Sequence, residues 1–436
     1  MIMRLPASGH RLMGRTGAGV SCLLALAVGC GPSADVPATT PGQTSTTTAT
    51  GSSTSSAGQV DDVLSSAVGR QDVLGVVAMA VDRDGVVYRG AFGTADDADD
   101  LPIRTDAVFR IASMTKPVTS VAAMQLVERG AIALDEPAAS YLPALAQAQV
   151  LEQFDAERGT YELRPPSSPI TVRQLLTHTA GFGYAFTSDT LRDFAPVARD
   201  GEVVGPLLFD PGTSWWYGTS TDWVGRLVES VSGQSLEAYC REHIFAPLQM
   251  PDTGFNVPEG DWPRAVVLAR RQPAGGLLQE ARQDPRPVTR YSGGGGLWST
   301  ASDYTRFMRM WLNDGTLDGQ RVLSAETVAT MSANHVGPLA AGEIVTALPE
   351  QSNDFRPTAD GRGRFGLGLL INLDDQPGRR AAGSLTWGGL YNTYFWIDPA
   401  SGVAGVMLTQ ILPFADPRVL GVFEAFERAV YGLVVD

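Results

Sequence analysis

The chain has 436 residues, a formal charge of −14, 44% hydrophobic residues and 18% charged ones. That length and apolar content supply a large core and exclude disorder throughout. The acidic balance, without a basic stripe, argues against nucleic acid as a partner and leaves a small neutral or cationic molecule as the better fit.

Arg4, Arg11 and Arg15 precede the apolar run Leu23 to Val28 and then Gly29-Cys30. Residues 1–30 therefore read as an export signal. A cysteine at this place resembles the bacterial lipobox, which implies cleavage and acylation at Cys30, although Ala27 stands where leucine is usual. The alternative is an ordinary secretory signal with an incidental cysteine. The expected location is the cell envelope, and Gly31, in place of an aspartate, points to the outer membrane if the host is Gram-negative. No later apolar run is long enough to span a bilayer, so a lipid anchor would be the membrane link. Cys240 is the one cysteine after the signal, which rules out a disulfide within the folded part and marks it as a buried thiol.

Residues 31–58 are Thr, Ser, Ala, Gly and Pro almost throughout, a flexible linker by composition. The folded part is expected over 59–436. An amphipathic helix is predicted over 60–68, and two strands over 73–88 around the turn Asp82-Arg83-Asp84-Gly85. Pro117 in a first turn and Gly130 just past an end bracket a helix that is apolar on nearly every face and so belongs in the centre of the fold. From Tyr141 to about Arg286 the pattern is helical and irregular. Strands return over 365–373, 391–397 and 403–410, and an amphipathic helix over 418–434 closes the chain. Strands at both ends around a helical middle argue an α+β protein: an antiparallel sheet flanked by N- and C-terminal helices, with an inserted helical lobe. The sheet lobe is expected over about 59–112 and 290–436, and the helical lobe over about 113–289.

Of the 33 basic residues one is lysine, Lys116, three positions after Ser113. Arginine does not lose its proton in a protein, whereas a lysine amine responds to burial and to its neighbours. Residues at i and i+3 share a helix face, so the Lys116 amine can meet the Ser113 hydroxyl and help it lose a proton as it attacks a carbonyl. The spacing alone is common, and its bland reading is a helix start with a surface lysine. Tyr217 by itself reads as a core aromatic, and Gly388-Gly389 as a hairpin or bulge. Arg270-Arg271 and Arg379-Arg380 read as solvated charge, and Phe182, Trp215 and Trp216 as core or pocket wall. His178 suggests a Ser-His-Asp arrangement, but there is no Gly-x-Ser-x-Gly elbow and it reads as structural.

Ser113-Met114-Thr115-Lys116, Tyr217-Gly218-Thr219 and Trp387-Gly388-Gly389 stand in the order of the Ser-x-x-Lys, Tyr-x-Asn and Lys-Thr-Gly motifs of the class C β-lactamase superfamily, which the chain resembles from Val73 to Val434. Leu175 to Gly181 and Gly294 to Asp303 add to the likeness. The resemblance implies Ser113 as the acylated nucleophile and Lys116 and Tyr217 as the groups handling protons, with the choice of base between them open. It also implies an oxyanion hole from the backbone amides of Ser113 and Leu390, with Thr219, Trp387, Gly388 and Gly389 against the substrate. Trp387-Gly388-Gly389 lacks the cation and hydroxyl that hold a β-lactam carboxylate, and Thr219 lacks an amide. Both departures look like the family VIII carboxylesterases.

The resulting expectation is a serine hydrolase cleaving carboxylic esters through an acyl-enzyme, on a small-molecule ester or amide, with no cofactor and no metal. The alternatives are a β-lactamase or D-alanyl-D-alanine carboxypeptidase, and a non-catalytic ligand-binding protein on the same scaffold.

Overall fold

The computed structural model describes residues 56–96, 98–99, 101–194, 204–358 and 362–434. The export signal, Cys30 and the linker up to residue 55 lie outside the described residues. The first helix, α1 (Ser56–Gly69), begins inside the stretch expected to be linker. Its apolar face starts at the buried Val60 and Leu64, and the preceding turn extends the same helix.

An eight-stranded antiparallel sheet forms the body. Its strands are β1 (Gly75–Asp82), β2 (Val86–Asp96), β3 (Leu101–Pro102), β4 (Arg364–Phe365), β5 (Leu370–Ile371), β6 (Leu385–Gly389), β7 (Thr393–Asp398) and β8 (Val403–Leu408), in spatial order β4-β5-β6-β7-β8-β1-β2-β3. Residues from the two ends of the chain thus meet at the β8 to β1 pairing, in register from Val77 with Leu408 to Asp82 with Val403. The first hairpin turns where the sequence places it. The Asp82 Oδ1 accepts hydrogen bonds from the Asp84 and Gly85 amides at 2.8 and 2.7 Å, satisfying two donors of the turn.

Both faces of the sheet are covered, and β7 shows how. Trp396 packs among Phe423, Phe426 and Tyr431 of α5 (Pro417–Val434), while its neighbour Phe395 packs on Tyr304 of α4 (Ala301–Leu312). Alternate side chains of a strand point to opposite faces, so each aromatic serves one layer. The residue paired with Trp396 is Gly405, where a Cβ would fall 2.1 Å from the indole. Only hydrogen fits there. α1 packs against α5 on this outer layer, tied to β2 by the Tyr88 hydroxyl donating to Asp61 at 2.7 Å. The molecule is an antiparallel sheet flanked by N- and C-terminal helices, with a helix-rich segment inserted between.

The structure departs from the sequence reading in three places. The strand expected over 365–373 is two short strands, β4 and β5, paired with each other. Between them Gly368 has φ +100 and lies against Ser120, where a Cβ would meet the hydroxyl oxygen at 2.2 Å. The inserted segment also carries a small sheet of Ala148–Asp155, Thr160–Arg164 and Val204–Leu207, whose polar strands gave no clear period. Two of the arginines read as solvated are anchored inside. Arg380 makes a bidentate pair with the fully buried Glu427, both distances 2.7 Å. Arg271 pairs with Asp416 at 2.7 Å and donates to the Gln71 and Asp72 carbonyls. A long guanidinium reads the same in sequence whether its partner is water or a carboxylate from another element.

Candidate active site

α2 (Thr115–Glu128) has twelve buried residues of its fourteen, Lys116 among them. A short 3₁₀ turn, Ala112–Met114, leads into it and carries Ser113. Ala112, just before the serine, has φ +44, a left-handed conformation that costs a non-glycine residue roughly 1–2 kcal/mol. The turn is clamped from two sides. The Ile111 amide donates to Leu297 O, and the Leu297 amide to Thr115 Oγ1 at 3.1 Å. On the other side β6 runs so close that a Cβ on Gly389 would stand 2.2 Å from Ile111 O. Gly389 is therefore demanded by the protein's own backbone. A Cβ on Gly388 would press on the Tyr394 ring at 2.9 Å. Gly388 lines the cavity described next, and Gly389 packs against Ile111 O beside it.

The Lys116 Nζ donates to Ser113 Oγ at 3.2 Å, to the Tyr184 hydroxyl at 3.1 Å and to Gly294 O at 2.7 Å. Three donors of an ammonium thus meet three acceptors. It also stands 4.7 Å from the centre of the Tyr217 ring. Burial pushes this amine down, but Tyr184, Tyr217 and the Asp222 carboxylate act the other way and prevail, holding it above the ordinary lysine range. Burial raises the Tyr184 phenol in turn. The Tyr217 hydroxyl accepts from Trp387 Nε1 at 3.3 Å. Asp222 completes the network. Its Oδ1 accepts from Ser292 Oγ at 2.6 Å and from the Gly294 amide at 3.1 Å, fixing the peptide whose carbonyl holds Lys116.

These groups face a cavity of about 230 Å³. Its lining includes the polar Ser113, Tyr184, Tyr217, Asp222 and Ser292 and the apolar Phe186, Ile344, Trp387, Leu390 and Phe414. Of the residues singled out in the sequence, Ser113, Tyr217, Trp387, Gly388 and Leu390 line this one space, and Lys116 lies directly beneath. Thr219 does not; it borders a neighbouring cavity with Phe182 and Trp223. It stands at the start of α3 (Ser220–Ser232), two residues past Tyr217, and opens toward that other side. Trp215 packs behind Tyr217 at 6.5 Å, and the Trp216 indole donates to Thr187. Neither lines the cavity.

His178 is a strut. Its Nδ1 accepts from the Gly218 amide at 3.4 Å and its ring packs against Tyr217 at 5.1 Å, with burial and Lys116 driving its pKa far down. Burial likewise raises the Cys240 thiol and leaves it inert. Among the described residues no cluster of His, Cys, Asp and Glu could hold a metal ion. Tyr184 and Asp222 were missed from sequence. Tyr184 follows the Leu175 to Gly181 segment by three residues, and a tyrosine in a glycine-rich loop carries no periodic signal of its own.

A serine hydroxyl bonded to a buried amine at the mouth of a central helix, with phenols beside it, defines a serine hydrolase-type enzyme on this α+β scaffold. The chain belongs to the Beta-lactamase family, whose pattern matches residues 60–427. It is similar to the monacolin J acid methylbutanoyltransferase of Aspergillus terreus, 34% identical over 84% of this chain and 93% of that one. It is also similar to the lovastatin esterase of Penicillium rubens, 31% identical over 85% of this chain and 98% of the other. Among solved structures, the unliganded simvastatin synthase LovD of Aspergillus terreus superposes with a TM-score of 0.75, at 30% identity, over 86% of this chain and 98% of that one.

Proposed function

We propose that the protein cleaves neutral carboxylic esters through an acyl-enzyme on Ser113. The observation that supports this most is the Lys116 amine 3.2 Å from the Ser113 hydroxyl, beneath a cavity whose lining is partly apolar. Ser113 Oγ attacks the ester carbonyl as its proton passes to the base, which is Lys116 in its neutral form or Tyr217. The oxyanion is assigned to the backbone amides of Ser113 and Leu390, two residues that line the same cavity. The alcohol leaves with the proton returned to it, and water then releases the acid.

Asp222 favours this reading over the β-lactamase or peptidase one. A β-lactam or a peptide C-terminus brings a carboxylate, and the residues lining the cavity include the Asp222 carboxylate and no lysine or arginine. Transfer of the acyl group to an alcohol instead of water is a second reading, favoured by the methylbutanoyltransferase named above. The two differ only in what reaches the acyl-enzyme. Export with a lipid anchor at Cys30 is proposed on residues 1–30 alone.

The test is hydrolysis of p-nitrophenyl acetate, butyrate and octanoate beside nitrocefin, with residues 56–436 and the Ser113→Ala variant, each with and without an added alcohol. Ester turnover lost in Ser113→Ala, with nitrocefin nearly untouched, is the expected outcome. Efficient nitrocefin cleavage would favour the β-lactamase reading, and ester product rising with alcohol the transferase one.

A further inference from the structure

Two phenols flank Lys116, and they are not equivalent. The hydroxyl of Tyr217, the tyrosine of the motif, accepts from the Trp387 indole at 3.3 Å, and the amine stands 4.7 Å from its ring centre, near enough for that hydroxyl to help hold the amine charged. Tyr184, from a separate loop, puts its hydroxyl 3.1 Å from Nζ. Its ring stacks on Phe186 at 5.1 Å and 21°, and lies 5.4 Å from the Tyr217 ring. The third acceptor, Gly294 O, belongs to a residue that cannot carry a side chain here: a Cβ would fall 2.5 Å from Asp222 Oδ2 and 3.0 Å from the Tyr184 hydroxyl. The glycine at 294 thus leaves room for both the carboxylate that orients the peptide and the phenol that reaches the amine.

We infer that Tyr184 is a positioning residue of the reaction: its hydroxyl and the Gly294 carbonyl together aim the Lys116 amine at Ser113 Oγ. The inference deepens the function proposed above and rests on Ser113 being the nucleophile. An unbranched lysine side chain has four rotatable bonds and holds one geometry only where its donors are met. Two acceptors beyond the serine fix it. Without Tyr184 the amine loses one of its two close acceptors beyond the serine, and its aim at Ser113 loosens. Tyr184 gains and loses no proton in this role.

The test uses Tyr184→Phe, which keeps the ring and its stack on Phe186 and removes one oxygen. A fluorophosphonate probe reads the nucleophile without knowledge of the natural ester: Ser113 Oγ forms a bond to phosphorus, the P–F bond breaks, fluoride leaves, and the serine proton passes to the base, Lys116 in its neutral form or Tyr217. The expected result is labelling slowed more than tenfold and kcat on p-nitrophenyl butyrate reduced 10- to 100-fold, with KM within threefold. Removing an acceptor from the ammonium favours the neutral amine, so the acid limb of the kcat/KM profile moves to lower pH by half a unit or more.

Labelling and kcat within twofold of the parent would overturn the inference. So would a rate loss with an unmoved acid limb and a fall in melting temperature, which is the mark of a packing role. Ser113→Ala separates the two levels: if it still turns over esters the acyl-enzyme reading fails, whereas an inert Ser113→Ala beside a normal Tyr184→Phe removes only the role of Tyr184.

Discussion

The lone lysine is where composition and chemistry meet. At 1% exposure Lys116 is among the largest fully buried side chains of the molecule, a site where a charge is tolerated only with its donors met. Lys116→Met keeps the length of the side chain and removes the amine; kcat is expected to fall roughly 10²- to 10⁴-fold, the usual weight of a positioned proton-transfer group. Measured by steady-state ester hydrolysis, a smaller loss would place the base elsewhere. Asp303 offers a second residue-scale expectation. Burial raises its carboxyl to about 6, with the Thr253 hydroxyl and the Asp252 amide opposing. A folded pKa above the unfolded one of about 3.9 means that the native state binds the extra proton. Its contribution is therefore full below about pH 4 and is lost as pH rises through 6, by about 3 kcal/mol in all. Urea unfolding at pH 4.5 and 7.5 checks this: Asp303→Asn should flatten the difference.

At the scale of elements, the site depends on how closely β6 approaches the turn before α2. Gly389→Ala places a methyl 2.2 Å from Ile111 O and 2.3 Å from Thr393 Oγ1. The strand has to withdraw, at a cost of about 1–3 kcal/mol, and Leu390 withdraws with it. Denaturant unfolding and ester turnover should fall together. Gly421→Ala is the contrasting change, in α5 with nothing within 4 Å of the added carbon; it should raise stability by about 0.5–1 kcal/mol and leave turnover alone. Equal effects from the two variants would mean that close approach does not govern the site. α2 itself was legible in the sequence, because Pro117, Gly130 and the apolar run between them are local signals. The split of 365–373 into β4 and β5 was not, because Gly368 turns there to clear Ser120, a residue of α2 more than two hundred positions earlier.

Over the whole molecule, the terminal helices hold the sheet together through buried contacts made late in the chain. The Arg380 to Glu427 pair joins the segment before β6 to α5, with the guanidinium also over Trp396 at 5.8 Å. Glu427→Ala leaves Arg380 charged and without its bidentate partner, and should lower stability by roughly 3–5 kcal/mol in denaturant unfolding. A loss below about 1 kcal/mol would show that water replaces the carboxylate. Glu427 and Arg380 are ordinary polar letters in an amphipathic helix and a turn; nothing local distinguishes them from surface charge.

The amino-acid sequence by itself determined what depends on near neighbours and composition: the hairpin at Asp82, the buried helix, the pairing of Ser113 with an amine three residues on, and the segments that carry the family resemblance. Helical spacing and turn chemistry act over a few residues and leave a readable mark. Folding alone decided that Tyr184, from a separate loop, puts its oxygen on Lys116, that Asp222 enters the cavity while Thr219 leaves it, and that Gly389 answers to Ile111. Each of these is a contact between segments tens or hundreds of residues apart. Such contacts are set by how sheet, helices and loops pack, and packing leaves no periodic trace in either segment.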